Sequence, residues 1–495
     1  MSITFLFNRC IDLSKAEDVS KFERQRQEKL SRIKELGIEP YGNRYEGTEP
    51  AEDTKSGFKE DETTQQANCA GRIVLLRDIG KLIFITLRDR SGTIQVGLSK
   101  KLLAEQWELM KLLELGDIIG ATGQLGKTKT GEITIWAEKV VLLSKCLLPP
   151  PEKFHGLADI DQRYRQRYVD LWANPEVMER FKRRSAIVTT IREFLTSRGF
   201  LEVETPMMQT IAGGAAAKPF ITHHNSLDMD LFLRISPELF LKRLLVGGME
   251  KVFEINRNFR NEGLSRQHNP EFTMIEVYQA YADYNVMMDL TEEVISLCLE
   301  KHGGGKQIQF GELTIDFTRP WRRAKYADLL KEYAGCDIDN IDAVRAKARQ
   351  LELEEAQMDD VVVANEVFET TVENNLVNPT FVIDYPAPLC PLTRRKKDDS
   401  TYAERFELFI GRMELANAYT ELNDPAIQEE NFHIQLRGQE ETMATMDSDF
   451  ISSLKYGMPP AGGLGIGIDR LIMVLTGAES IRDVVLFPLL RPAKT

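Results

Sequence analysis

The run NRNFRNEGLSRQHNPEFTMIEVY, residues 256–278, gathers a guanidinium (Arg260), two carboxylates (Glu262, Glu276), an imidazole (His268), a ring (Phe272) and a phenol (Tyr278). A guanidinium and a flat ring so close together suit a nucleotide, the cation for phosphate and the ring for a base. Further on, Glu407 and Glu414 flank Gly411, where a turn would bring them together. Two carboxylates converging on a phosphate site suit Mg2+, a hard ion that prefers oxygen ligands and keeps water while bridging to phosphate. Alternation alone is equally the pattern of an ordinary amphipathic hairpin with a charged tip, and paired surface acids are common.

The elements that must position these groups can be read from periodicity. Glu254, Asn256, Asn258 and Arg260 alternate with Phe253, Ile255 and Phe259, which reads as a strand aiming Arg260 away from the core. In a second strand Phe272, Met274, Glu276 and Tyr278 share one face, while Thr273, Ile275 and Val277 take the other. Gly263 and Asn269-Pro270 bend the loop between them, from which Glu262, Arg266 and His268 can reach over the sheet. In LRISPELFLKRLL, Ser236 and Pro237 read as the N-cap and first residue of a helix, which puts Glu238 in its opening turn. Gly213 and Gly214 sit in a small-residue loop where backbone and ligand could approach closely. GLGIGIDR is Gly-rich and precedes a helical run, but no βαβ unit surrounds it, so a Rossmann reading fails.

At 495 residues the chain exceeds one ordinary core, and two or three domains are expected. A net charge of −13 argues against a protein that coats nucleic acid indiscriminately. Residues 66–148 nevertheless carry 12 Lys and Arg against 8 Asp and Glu, so this segment could meet a polyanion locally. The start, MSITFLFNRC, has neither the basic residues nor the apolar length of a signal peptide or membrane span. Six cysteines without CxxC spacing imply reduced thiols in a cytoplasm.

In chain order, residues 1–66 read as an extension: a charge-rich helix over 18–36 with Phe22, Leu30 and Ile33 as a thin apolar stripe, then a linker over 42–66. Residues 67–150 hold short strands, one helix, then strands with Gly turns, the order of a five-stranded OB β-barrel. Such barrels bind single-stranded nucleic acid by stacking bases on aromatic rings. A proline-rich linker over 151–175 leads to a domain spanning 176–495, with a helical insertion at about 320–375. That domain opens with FKRRSAIVTTIREFLTSRGFLEVETP, a helix stopped by Gly199 and a strand ending at Pro206.

FRNEG followed by HNPEFT resembles the second signature motif of the class II aminoacyl-tRNA synthetases, an Arg-x-Glu and then a His-x-x-x-Phe. HNPEFTMIE with Tyr278 is most similar to the lysine-specific members; the helix and strand ending at Pro206 resemble the first motif, and GLGIGIDR the third. The resemblance implies an α+β fold, an anticodon-binding OB barrel followed by a class II catalytic domain whose antiparallel sheet is flanked by helices. It implies lysine–tRNA ligase activity with L-lysine, ATP, Mg2+ and tRNA(Lys), in a cytoplasmic homodimer without membrane association. Arg260 would be catalytic, bridging the lysine carboxylate and the α-phosphate; Glu262, His268, Phe272 and Arg470 would join it in holding ATP. Gly214, Glu238, Arg260, Glu276, Tyr278, Asn417, Tyr419 and Glu421 would form the lysine pocket, and Glu407 and Glu414 would bind the metal. On the barrel, Phe84 would stack an anticodon base, and Gln95 and Glu132 would read the triplet with Arg72 beside them. One departure concerns the loop: Gln267 stands where relatives commonly carry Arg, with Arg266 one step earlier. Two other readings stay open, an aspartate or asparagine ligase of the same subclass and a non-catalytic RNA-binding paralogue.

Overall fold

The structure is a computed structural model that describes residues 21–62, 64–149, 157–215, 217–437 and 446–492. Residues 1–20 of the expected extension and most of the proline run lie outside the described residues. The chain divides into two compact units, 1–158 and 159–495. No helix among the described residues is long and apolar enough to cross a membrane.

In the first unit, five strands close into a barrel: β1 (Gln66–Asp78), β2 (Leu82–Arg88), β3 (Thr93–Ser99), β4 (Ile118–Lys127) and β5 (Ile133–Ser144), in the order β1-β2-β3-β5-β4. Alternate residues such as Ile83, Ile85 and Leu87 of β2 and Ile94, Val96 and Leu98 of β3 fill the interior. The extension is more firmly built in than its polarity implies. The helix Lys21–Glu35 buries Ile33, and the guanidinium of Arg26 is also buried because it donates to the carbonyls of Leu115 and Cys146. The expected linker holds a short helix, Ala51–Ser56, tied to the barrel through the Ala51 N–H and Asp89. Tyr45 lies against Gly120 and bonds Asn68 at 2.6 Å.

The second unit is built on an eight-stranded sheet. Its strands are β6 (Leu201–Glu202), β7 (Lys251–Phe259), β8 (Glu271–Ala280), β9 (Arg322–Lys325), β10 (Thr380–Pro386), β11 (Tyr402–Ile410), β12 (Met413–Thr420) and β13 (Ala461–Gly467). Their order is β9-β10-β11-β12-β13-β8-β7-β6, antiparallel except for the outermost pair at each end. Helices Pro175–Ser197, Tyr284–His302 and Ile468–Thr476 bury one face against Ile275, Val277, Leu464 and Ile466. Helices within the expected insertion pack separately, around Tyr326 and Phe368. Two sequence readings change here. The expected linker over 151–175 contains helices Ile160–Arg165 and Arg167–Ala173; Arg167 is fully buried, paired with Asp170 and bonded to the Leu486 carbonyl. The strand expected to run to Pro206 spans only Leu201–Glu202, at the parallel edge of the sheet.

Candidate active site

A cavity of about 430 Å3 opens on the sheet face opposite the helical core. Its floor is a column of glycines. In register, Gly463 lies between Tyr278 and Tyr419, Gly465 between Glu276 and Asn417, and Gly467 beside Met274. A strand without side chains between two that carry them makes a trough, because the pleat sends every second residue of β8 and β12 to the same side. A Cβ on Gly463 would lie 1.9 Å from Glu421 Oε1 and 2.7 Å from the Tyr278 ring, so this close approach requires glycine.

At one end of the trough are the acids. Glu276 is buried, with Oε1 accepting from the Ser236 hydroxyl at 2.9 Å and Oε2 from the Tyr278 hydroxyl at 3.1 Å. Burial, followed by the charge of Glu238, pushes its pKa up to about 8. Ser236 serves twice, since its oxygen also accepts the Glu238 N–H at 3.1 Å, which fixes the opening turn of helix Glu238–Val246. Gly214 has φ +86°, and a Cβ there would press on Ser236 and Glu238 at 3.1 Å. Gly214, Glu238, Arg260, Glu276, Tyr278, Asn417 and Tyr419 all line the cavity. Glu421 does not; it lies beyond Gly463 on the same side of the sheet, ion-paired with Lys242.

At the other end is the expected nucleotide apparatus. The Arg260 guanidinium sits 5.1 Å from the Phe272 ring centroid, and its buried Nε has no hydrogen-bond partner among the described residues. Burial lowers its pKa against the opposing charges of Glu414 and Glu262, and the side chain lines the cavity. Arg470 is held by the Glu414 carbonyl at 2.7 Å and by His268 Nε2 at 2.9 Å. Because guanidinium has no acceptor, Nε2 must accept, and the proton resides on Nδ1, 2.9 Å from Ser265 Oγ. Burial and then Arg470 lower the His268 pKa, in keeping with a neutral ring. Glu262 and Gln267 also line the cavity.

The two proposed metal ligands are placed unequally. A bulge between Leu408 and Phe409 shifts the register, so that Glu407 faces Asn417 and Glu414 faces Phe409. Glu414 lines the cavity, 3.5 Å from Arg470. Glu407 is more enclosed: Oε1 contacts Arg405, and Oε2 accepts from the Tyr385 hydroxyl at 2.7 Å. No group of three or more His, Cys, Asp or Glu among the described residues could by itself hold a metal ion. Burial, reinforced by Glu369, Glu407 and Glu414, pushes nearby Glu373 up to about 8. A divalent cation fits this crowding of acids.

The comparisons with known proteins bear on this geometry. The family model for tRNA synthetases class II (D, K and N) matches residues 159–491. The chain belongs to the class II tRNA synthetases. A model for OB-fold nucleic acid binding domains matches residues 67–143. Full-length relatives include the lysine–tRNA ligase of Carboxydothermus hydrogenoformans, 53% identical over 96% of this chain and 99% of that relative. Those of Syntrophomonas wolfei (53%, covering 96% and 98%) and Clostridium novyi (48%, covering 98% of each) are similar across the same extent.

On the OB barrel of this class II synthetase, an outward row crosses the strands: Arg77, Phe84, Gly97, Trp136 and Gln124 are mutual neighbours in register. Phe84 meets Trp136 edge-on with centroids 6.0 Å apart, and Arg77 lies 5.5 Å from the Phe84 centroid. Gly97 lets the indole lie flat, since a Cβ there would come within 2.7 Å of it. Gln95 occupies the adjacent row, its Oε1 accepting from Thr134 at 2.8 Å, and Glu132 is exposed in the turn before β5. Arg72 stands opposite Arg88, in the row next to that of Gln95, and donates to the Gly116 carbonyl at 2.8 Å. The cation next to Phe84 is Arg77. Arg77, Trp136 and Lys242 are the residues sequence reading missed, and Ser236, read as a cap before Pro237, stands two residues ahead of a helix that begins at Glu238 and donates to Glu276.

Proposed function

We propose that this chain is a lysine–tRNA ligase, which activates L-lysine with ATP and transfers it to the 3' end of tRNA(Lys). The observation that carries the reading is the charge of the trough. A guanidinium over a ring, with its Nε free of hydrogen bonds, suits a carboxylate–phosphate junction at one end, and Glu238, Glu276 and Glu421 at the other suit two ammonium groups. An aspartate pocket would need a cation for the side chain, and the names of the relatives agree with lysine.

In the first step the lysine carboxylate attacks the α-phosphorus of ATP, giving lysyl-adenylate and releasing pyrophosphate. Arg260, wedged against Phe272, holds carboxylate and α-phosphate together and stabilises the charge that builds on the phosphoryl oxygens. Phe272 and Arg470 take opposite faces of the adenine, with Glu262 and His268 completing the nucleotide site. Tyr278, Asn417 and Tyr419 wall the lysine chain along the glycine floor, Gly214 and Glu238 take its α-amino end, and Glu421 answers the ε-ammonium. Glu414, joined by Glu407 once it leaves Arg405, would hold Mg2+, whose charge offsets that of the phosphates. In the second step a ribose hydroxyl of the tRNA attacks the acyl carbon and AMP leaves; anticodon bases stack on Phe84, with Gln95 and Glu132 reading their edges. A homodimer accords with the exposed Leu201, Met207 and Met208 around the edge strand β6. Cytoplasmic translation is the setting this reading gives it.

Labelled pyrophosphate exchange into ATP, run with each standard amino acid, tests the proposal. Exchange with lysine alone is expected. Exchange with aspartate or asparagine, or none even after tRNA is added, would reject it.

A further inference from the structure

Lys242 lies one turn after Glu238 on helix Glu238–Val246, and its side chain is completely buried. Its Nζ donates to Glu238 Oε1 at 2.6 Å and contacts Glu421 Oε2. The ammonium also stands 5.5 Å from the Tyr419 ring centroid. Burial works against its charge, but Glu238 and Glu421 more than compensate and hold it above the ordinary ammonium value. Glu421 is therefore divided. One oxygen is committed to Lys242, while Oε1 is buried without a hydrogen-bond partner and lies where a side chain on Gly463 would project.

We propose that Lys242 is a positioning residue for lysine selection: a tethered counter-ion that holds Glu421 and Glu238 in place and leaves one carboxylate oxygen free for the incoming ammonium. This rests on the lysine-ligase reading of the pocket. The geometry explains why a built-in cation belongs there. Lys242 stands between Glu238 and Glu421, so a single charge holds two carboxylates and leaves Glu421 Oε1 for an ammonium that a neutral amino acid does not carry. Without Lys242 the two carboxylates lose the cation that fixes them, and the oxygen that meets the incoming ammonium is no longer held in place.

The test compares wild type with Lys242→Met, similar in shape but uncharged, in lysine-dependent pyrophosphate exchange. The KM for lysine is expected to rise by about a hundredfold or more, the cost of an uncompensated buried charge, while the KM for ATP stays within twofold. Lys242→Ala should regain part of its lysine affinity when propylammonium is added. An unchanged or lower lysine KM in Lys242→Met would overturn the proposal. If that variant is insoluble, Lys242→Gln keeps a donor without the charge, and a wild-type lysine KM there overturns it equally. Absence of exchange in the wild type would instead remove the ligase reading on which the proposal stands.

Discussion

Gly463→Ala puts the pocket's floor to a quantitative test. The added methyl would stand 1.9 Å from Glu421 Oε1 and 2.7 Å from the Tyr278 ring, where contacts below 3.0 Å are essentially never seen. Gly463 does not have a positive φ, so alanine costs nothing in backbone strain and the effect is steric. Glu421 would have to retreat by more than an ångström from a fully enclosed position where Lys242 already holds it. Overpacking of this kind costs about 1–3 kcal/mol, and losing a charged hydrogen bond to the ligand about 1.5–3 kcal/mol. Taking about 3 kcal/mol together gives roughly a hundredfold rise in the KM for lysine. The KM for ATP should hardly move. Gly465→Ala is the internal comparison, because its methyl comes closer than 3.9 Å only to the flexible end of Met274, at 3.0 Å; less than about a fivefold change is expected where an unbranched side chain can swing aside. Pyrophosphate exchange at varied lysine measures both. A Gly463→Ala enzyme within threefold of wild type, or a larger effect at Gly465, would refute the trough as the lysine site.

Three further outcomes follow from other contacts. Arg260→Lys keeps a charge but not the planar fork over Phe272, and single-turnover adenylate formation should slow by roughly a hundredfold or more; a rate within fivefold of wild type would count against its bridging role. The Glu276 carboxyl keeps its proton up to about pH 8 in the folded chain but loses it near its ordinary value of 4.5 when unfolded, so the ligand-free protein should lose stability as pH rises across that window. Thermal melts of Glu276→Gln should show a flatter dependence; an unchanged slope would mean that Glu276 ionises normally. Phe84→Ala and Trp136→Ala should each raise the KM for tRNA by about tenfold, from lost base stacking, and leave tRNA-free pyrophosphate exchange untouched; a loss of exchange would show damage beyond the barrel surface.

The trough was legible because its residues alternate along two strands and the parity of Phe272, Met274, Glu276 and Tyr278 survives unbroken through β8. Parity alone does not reach everything. Register irregularities in β1 and in the β11–β12 hairpin, which place Arg72 opposite Arg88 and Glu407 opposite Asn417, carry no mark in the sequence. Polarity also misled. Glu254, Asn256 and Asn258 form a polar stripe, yet all three are buried, Glu254 being claimed by Arg234 at 2.6 Å and by the Thr205 hydroxyl. Arg26 and Arg167 likewise leave solvent because distant carbonyls accept from them. Contacts across 89 and 319 residues leave no trace in a local window. Lys242 could have been found, since Glu238 and Lys242 stand four apart on one helix face, the spacing of an intrahelical ion pair.

A floor made of glycine can be altered in one direction only. Every substitution at 463, 465 or 467 adds atoms and shortens or narrows the trough, and none can deepen it. A longer or bulkier amino acid could be admitted only by trimming the walls, at Tyr278 or Tyr419, or by shortening Lys242 beside Glu421. Engineering this synthetase toward larger lysine analogues is thus a problem of three side chains, while the backbone beneath sets the limit for smaller ones.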